Sequence, residues 1–92
     1  MPLAQPATVD VQNAGSVTGL AGRVSALLKK QGFVVASVGN SSRTDLSKNV
    51  IFDNTDGKRP DELQKIADAL SASVIHEVFG GAKTDFTVFV VR

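Results

Sequence analysis

Val9-Asp10-Val11-Gln12-Asn13-Ala14-Gly15-Ser16-Val17-Thr18-Gly19-Leu20-Ala21-Gly22-Arg23-Val24 runs on to Leu27-Leu28, Gly32-Phe33 and Val35-Ala36-Ser37-Val38. Val9 and Val11 alternate with Thr8, Asp10 and Gln12, the pattern of a half-exposed strand. Asn13-Ala14-Gly15-Ser16 is turn chemistry, and Ser16 or Thr18 is suited to cap a helix. Val17, Leu20, Ala21, Val24, Leu27 and Leu28 then recur at intervals of three and four, one apolar helical face. Arg23, Ser25, Lys29 and Lys30 point away from it, with both lysines in the last turn where they favour the helix dipole. Gly32 is a natural left-handed terminator. Phe33–Val38 is a near-continuous apolar run, which predicts a strand buried on both faces. This stretch is therefore a strand–helix–strand unit whose strands run parallel.

The rest of the chain extends that unit. Residues 1–7 carry two prolines and no periodicity, and read as a tail or linker end before a domain at 8–92. Gly39–Asn49 is a polar loop of about ten residues, long for a small domain. Val50–Phe52 is a short strand, and Asp53–Arg59 a turn-rich connection. Pro60 fits the first position of a second helix, with Asp61 and Glu62 at its positive end. Its apolar stripe is Leu63, Ile66, Ala67 and Leu70. Ser73–Val78 is a strand, Gly80–Thr84 a loop, and Asp85–Arg92 a strand apolar on both faces, expected to be central or well covered. The fold class is α/β (α+β-like), a single small domain in the order β-α-β-β-α-β-β. Both helices are expected on one face of a mixed sheet.

Composition narrows the functions. A chain of 92 residues with 42% hydrophobic and 21% charged residues folds as one globular domain. Its net charge of +1 supplies no global field for nucleic acid or anionic membrane. The charge is uneven: residues 1–59 hold seven basic against four acidic side chains, and residues 60–92 hold three against five. There is no cysteine, which removes disulfides, thiol catalysis and cysteine metal sites. No apolar run approaches the ~20 residues of a membrane helix, and no signal peptide is visible.

No catalytic constellation emerges. Gly15, Gly19 and Gly22 are spaced G-x-x-x-G-x-x-G, which meets neither the dinucleotide loop nor the P-loop. Their structural reading is that Gly15 makes the turn while Gly19 and Gly22 let the helix approach a strand. The functional alternative is an anion site at the helix start near Ser16–Thr18, with Asn13 beside it. His76, the only histidine, reads as a mid-strand residue with no partner. Asp53-Asn54-Thr55-Asp56-Gly57 has a faint calcium-loop look, but position 63 is Leu where the loop needs Glu, so turn formation is the better reading. No serine sits in a nucleophile elbow. Tryptophan and tyrosine are absent, which argues against tight sugar stacking. No cofactor and no metal are expected.

The valines before Asn13-Ala14-Gly15, then Gly19-Leu20-Ala21 with Arg23-Val24, Leu27 and Gly32-Phe33, resemble the LytR C-terminal domain. So do the strand Val50–Phe52, the glycine-containing turn, and Ile66-Ala67-Asp68-Ala69-Leu70. The resemblance runs from Val9 over nearly the whole chain, and is most specific in its first half. Phe52-Asp53 stands where members often carry tyrosine and proline, so a tyrosine-dependent role does not carry over. The resemblance implies a non-catalytic accessory module of bacterial cell-envelope proteins, typically actinobacterial, on the extracytoplasmic side and anchored by a membrane helix outside this chain. It implies peptidoglycan or a wall glycopolymer, and glycopolymer-transferase proteins, as partners.

The binding surface is expected to join Asn13, Ser16, Thr18 and Arg23 with Asn40 and Arg43, because loops following parallel strands converge at one sheet end. Gly15, Gly19, Gly22 and Gly32 are the structural glycines. The alternative is protein docking or self-association through an exposed strand edge, for which the final apolar strand is the candidate.

Overall fold

The computed structural model describes residues 7–15, 19–41, 48–55, 57–78 and 84–91. The elements follow the expected order: β1 (Thr8–Asn13), α1 (Leu20–Lys30), β2 (Val34–Asn40), β3 (Val50–Asp53), α2 (Pro60–Leu70), β4 (Ser73–Ile75) and β5 (Phe86–Val90). They form one five-stranded sheet in the spatial order β2-β1-β5-β3-β4. β1 pairs in parallel with β2 and β5, β3 pairs in parallel with β4, and β3 and β5 are antiparallel. The sheet is therefore mixed, as expected.

Alternation puts the core where the pattern predicts. Val9 and Val11 of β1 register with Phe86 and Val88 of β5, and Ile51 of β3 with Val88. All five are fully buried in one cluster that also holds Leu20, Ala21, Val24 and Leu28 of α1 and Leu63, Ile66, Ala67 and Leu70 of α2. Both helices thus cover the same sheet face. Each fully buried large side chain there contributes about 1.5–3 kcal/mol. A second cluster of Ala14, Val50, Phe52 and Phe89 lies on the other face, with Phe52 and Phe89 edge to face at 5.8 Å and 77°.

The helix ends follow local chemistry. After α1, Gly32 takes φ +97°, Phe33 N–H donates to the Leu28 carbonyl at 3.0 Å and Gly32 N–H to that of Lys29 at 3.1 Å. This paired pattern is the left-handed stop expected from the glycine. α2 starts at Pro60 with Asp61 and Glu62 in its first turn, and stops the same way on Ser71, at φ 50°.

Six expectations are corrected. β2 is an outer strand rather than one buried on both faces: Val34 and Val38 are 47% and 48% exposed. Its apolar content covers only the single flank that β1 and α1 supply. β5, by contrast, lies between β1 and β3 and is buried throughout, so it offers no free edge. α1 begins at Leu20 with Gly19, not Ser16 or Thr18, at the cap, and no side chain caps it. Ser25 of α1 is only 4% exposed while Leu27 is exposed, a rotation of the buried face relative to the apolar pattern. β4 stops at Ile75, three residues short of the expected strand. Ala7, read as tail, is buried, and its carbonyl accepts the Val34 N–H at 3.0 Å.

Candidate functional site

The two parallel strands β1 and β2 end side by side. Asn13 and Asn40 are partners in register, and Ser41 N–H donates to the Asn13 carbonyl at 2.9 Å. The connections leaving β1 and β2 therefore start from the same end of the sheet, which is the convergence the strand–helix–strand reading implies. Asn40 is exposed there. Asn13 is 7% exposed, and its Oδ1 accepts the Gly15 N–H at 3.0 Å. This Asx turn gives Asn13 a folding task at the point where a binding task was expected. Arg23 is exposed in the first turn of α1, with its backbone N–H donating to Gly19. Ser16, Thr18 and Arg43 lie outside the described residues.

The glycines divide differently from the sequence reading. A Cβ on Gly15 would stand 2.6 Å from the Val91 carbonyl oxygen, so Gly15 is the residue of close approach. Gly19 holds φ +78° at the start of α1, a conformation that favours glycine. Gly22 is exposed, and a Cβ there would meet nothing within 4 Å, so it brings no strand closer.

A site the sequence did not reveal lies at the other end of the sheet. Phe52 and Ile75 are partners across the parallel pair β3 and β4, so Asp53 and His76, one residue further along each chain, come to flank one hollow. It has a volume of about 220 Å³ and is lined by Asp53, Gly57, His76, Glu77 and Val78. His76 follows the end of β4, which removes the strand alternation that had left it without a partner. Asp53 is 4% exposed. Its Oδ1 accepts the Thr55 hydroxyl at 2.6 Å and the Thr55 N–H at 2.9 Å, and its Oδ2 accepts the Gly57 N–H at 3.1 Å. Burial pushes the carboxyl pKa up, but these three hydrogen bonds and the charge of His76 outweigh it and hold the group below its ordinary value. A carboxylate engaged in this way organises the β3–α2 turn. Among the described residues, no three His, Cys, Asp or Glu side chains are grouped to hold a metal ion.

Asn49 is a second residue the pattern did not single out. Its Nδ2 donates to the Leu70 carbonyl at 2.8 Å, its Oδ1 accepts the Val91 N–H at 2.8 Å, and its carbonyl accepts the Ser73 N–H at 2.9 Å. The buried side-chain amide thus joins the end of α2 to the chain after β5, and the backbone carbonyl of the same residue holds the start of β4. No helix among the described residues is long and apolar enough to cross a membrane.

Comparison with known proteins places this arrangement. No curated protein matches the chain. The solved C-terminal domain of RV0431 is similar, with 28% identity and a TM-score of 0.63, covering 100% of this chain and 77% of that one. The soluble domain of a conserved hypothetical secreted protein from Mycobacterium marinum, the Rv2700 ortholog, shares the fold at 19% identity and TM-score 0.63, covering 95% of this chain and 63% of that one. A family model described as LytR cell envelope-related transcriptional attenuator matches residues 7–91, and the chain belongs to that family, the LytR C-terminal domain.

Proposed function

We propose that this domain is a non-catalytic accessory module of a bacterial cell-envelope protein, supporting assembly or integrity of the wall. The family match over residues 7–91 carries the reading. The Mycobacterium marinum relative is described as the soluble domain of a secreted protein, which supports an extracytoplasmic setting. In this reading the protein is anchored by a membrane helix outside residues 1–92. The ligand is peptidoglycan or an anionic wall glycopolymer, and glycopolymer transferases are its neighbours. The surface is the shared end of β1 and β2, with Asn40, Arg23 and Arg43 as polar and cationic contacts around Asn13, Ser16 and Thr18. Without tryptophan or tyrosine, contact with a polymer is polar and weak, and salt-sensitive where phosphates are read.

The test is co-sedimentation of the domain with insoluble peptidoglycan, with and without its attached glycopolymers, across a salt series. Retention that needs the glycopolymers and falls with salt supports the reading. No retention under any condition refutes a direct wall ligand and favours the second reading, docking on another protein. The exposed outer strand β2 is the observation that favours that alternative.

A further inference from the structure

The sheet has two outer strands, and they differ. β4 is three residues long and half-buried. β2 is seven residues long, Val34-Val35-Ala36-Ser37-Val38-Gly39-Asn40, and five of its residues are exposed. Outer strands are ordinarily guarded by lysine, by proline, or by a covering segment. β2 contains no charged residue and no proline, and no strand pairs with its outer side among the described residues. Its one irregularity is a bulge at Ala36, between Val35 opposite Val9 and Ser37 opposite Asp10. Beyond it, Ser37–Asn40 runs in regular register with Asp10–Asn13. Val34 pairs with Thr8 and Val38 with Val11, so the two exposed valines lie on opposite sheet faces. A strand laid along β2 would cover both through cross-strand pairs.

The helix packed against β2 sets the charge of what fits. The surface of α1 presents Arg23, Lys29 and Lys30, and α1 contains no acidic residue. Pairing two copies of β2 about a twofold axis would set two such basic helices side by side on one face, a like-charge arrangement that disfavours self-association. An acidic segment gains from the same field. We propose that β2 takes up an extended acidic segment of another protein as an additional, outermost strand of the sheet, beside the basic surface of α1. The inference rests on the docking reading above. Backbone pairing supplies the attachment, Val34 and Val38 the side-chain contacts, and Arg23, Lys29 and Lys30 the preference for acid.

The experiment titrates the isotope-labelled domain with an acetylated peptide in which glutamate, valine and glutamate alternate with threonine, and maps amide shifts. Shifts confined to Val34–Asn40 and α1 are expected. Lys29→Gln with Lys30→Gln, both exposed, should weaken binding about tenfold, as loss of complementary charge does. Methylating alternate peptide nitrogens should abolish binding, since it removes the strand donors while keeping the side chains. Shifts elsewhere, or equal binding of the methylated peptide, overturn the proposal. Equal binding of a peptide with lysine in place of glutamate overturns the acidic preference while leaving strand docking intact. A sedimentation mass that doubles with concentration, reversed by Val38→Glu, assigns β2 to a second copy and overturns the partner.

Discussion

Gly15 packs against the backbone of Val91: a Cβ built on it would lie 2.6 Å from the Val91 carbonyl oxygen and 2.8 Å from its Cα. The turn after β1 and the chain leaving β5 therefore meet main chain to main chain. The same approach lets Ala14 N–H donate to the Val90 carbonyl at 2.8 Å.

A methyl group at Gly15 must push backbone rather than a pliable side chain. Gly15→Ala is expected to cost about 2–3 kcal/mol, the upper part of the range for overpacking. Gly22→Ala, in an exposed helix interior with open space around it, should instead add about 0.5–1 kcal/mol. Denaturant unfolding of the two variants checks both signs. Equal effects would mean that the approach to Val91 is not tight.

The two helix stops predict a reciprocal pair. Gly32 and Ser71 both hold positive φ, and only Ser71 carries a Cβ there. Ser71→Gly should stabilise the domain by about 0.5–1 kcal/mol, and Gly32→Ala should destabilise it by about 1 kcal/mol. Thermal melts of both variants against the parent are sufficient. A destabilised Ser71→Gly would show that the serine side chain contributes more than its backbone strain costs.

Asp53 predicts a pH dependence. Its folded pKa is lowered from 3.8, so the folded state binds fewer protons than the unfolded chain between the two values. The carboxylate's contribution is therefore present above the unfolded value and disappears as the pH falls through the lower folded value. Asp53→Asn should be less stable than the parent by about 1–2 kcal/mol near neutral pH, and the gap should shrink on acidification through that window. Denaturant titrations at several pH values measure the gap. A gap constant with pH would remove the carboxylate charge from the explanation.

Asn13 and Asn40 separate binding from folding. Asn13→Ala loses the acceptor for Gly15 N–H and should cost about 1 kcal/mol, so weakened wall binding in that variant would be ambiguous. Asn40→Ala and Arg43→Ala are expected to leave the melting temperature unchanged and to reduce retention on glycopolymer-bearing wall. Asn13→Asp keeps the Asx acceptor and adds a negative charge, so it should retain most of the fold and repel an anionic polymer. Retention unchanged in all three would place the binding surface elsewhere.

A structural clamp makes the last prediction. Thr8 N–H donates to Asp85 Oδ2 at 3.0 Å, and Asp85 N–H donates to the Thr8 hydroxyl at 2.9 Å. These reciprocal bonds join the starts of β1 and β5, which lie far apart in sequence. Asp85→Ala removes the carboxylate that accepts the Thr8 N–H while keeping the Asp85 N–H bond to the Thr8 hydroxyl, and should cost about 1–2 kcal/mol. Arg59→Ala, which removes a part-exposed contact to Asp85 at 3.6 Å, should cost less than about 1 kcal/mol. Unfolding curves of the two variants rank them, and equal costs would assign the effect to the ion pair that both variants lose rather than to the Thr8 bond.

Most elements were legible because their signals are local. Thr8–Asn13 alternates and is buried in alternation. Leu63, Ile66, Ala67 and Leu70 recur at helical spacing and all are buried. Pro60 and Gly32 mark a helix start and a helix end where the sequence places them. The neighbouring ends of β1 and β2 followed from the expectation of a parallel pair, so the meeting of Asn13 and Asn40 was foreseeable. The reason Asn13 is there was not, because its acceptor role depends on how Gly15 is drawn against Val91.

Sequence by itself determined the order of strands and helices and the apolar residues that mark them, since periods of two and 3.6 are properties of neighbouring residues. Only the tertiary structure decided lateral order. Val34–Val38 and Phe86–Val90 are both apolar runs, yet the first is an outer strand and the second an interior one. Strand order is set by pairing between segments remote in the chain. The parallel pairing of β3 with β4 likewise brings Asp53 and His76 to one hollow. Hydrophobic pattern reports that a face is covered, whereas the covering neighbour, and the edge left without one, are fixed by register and topology.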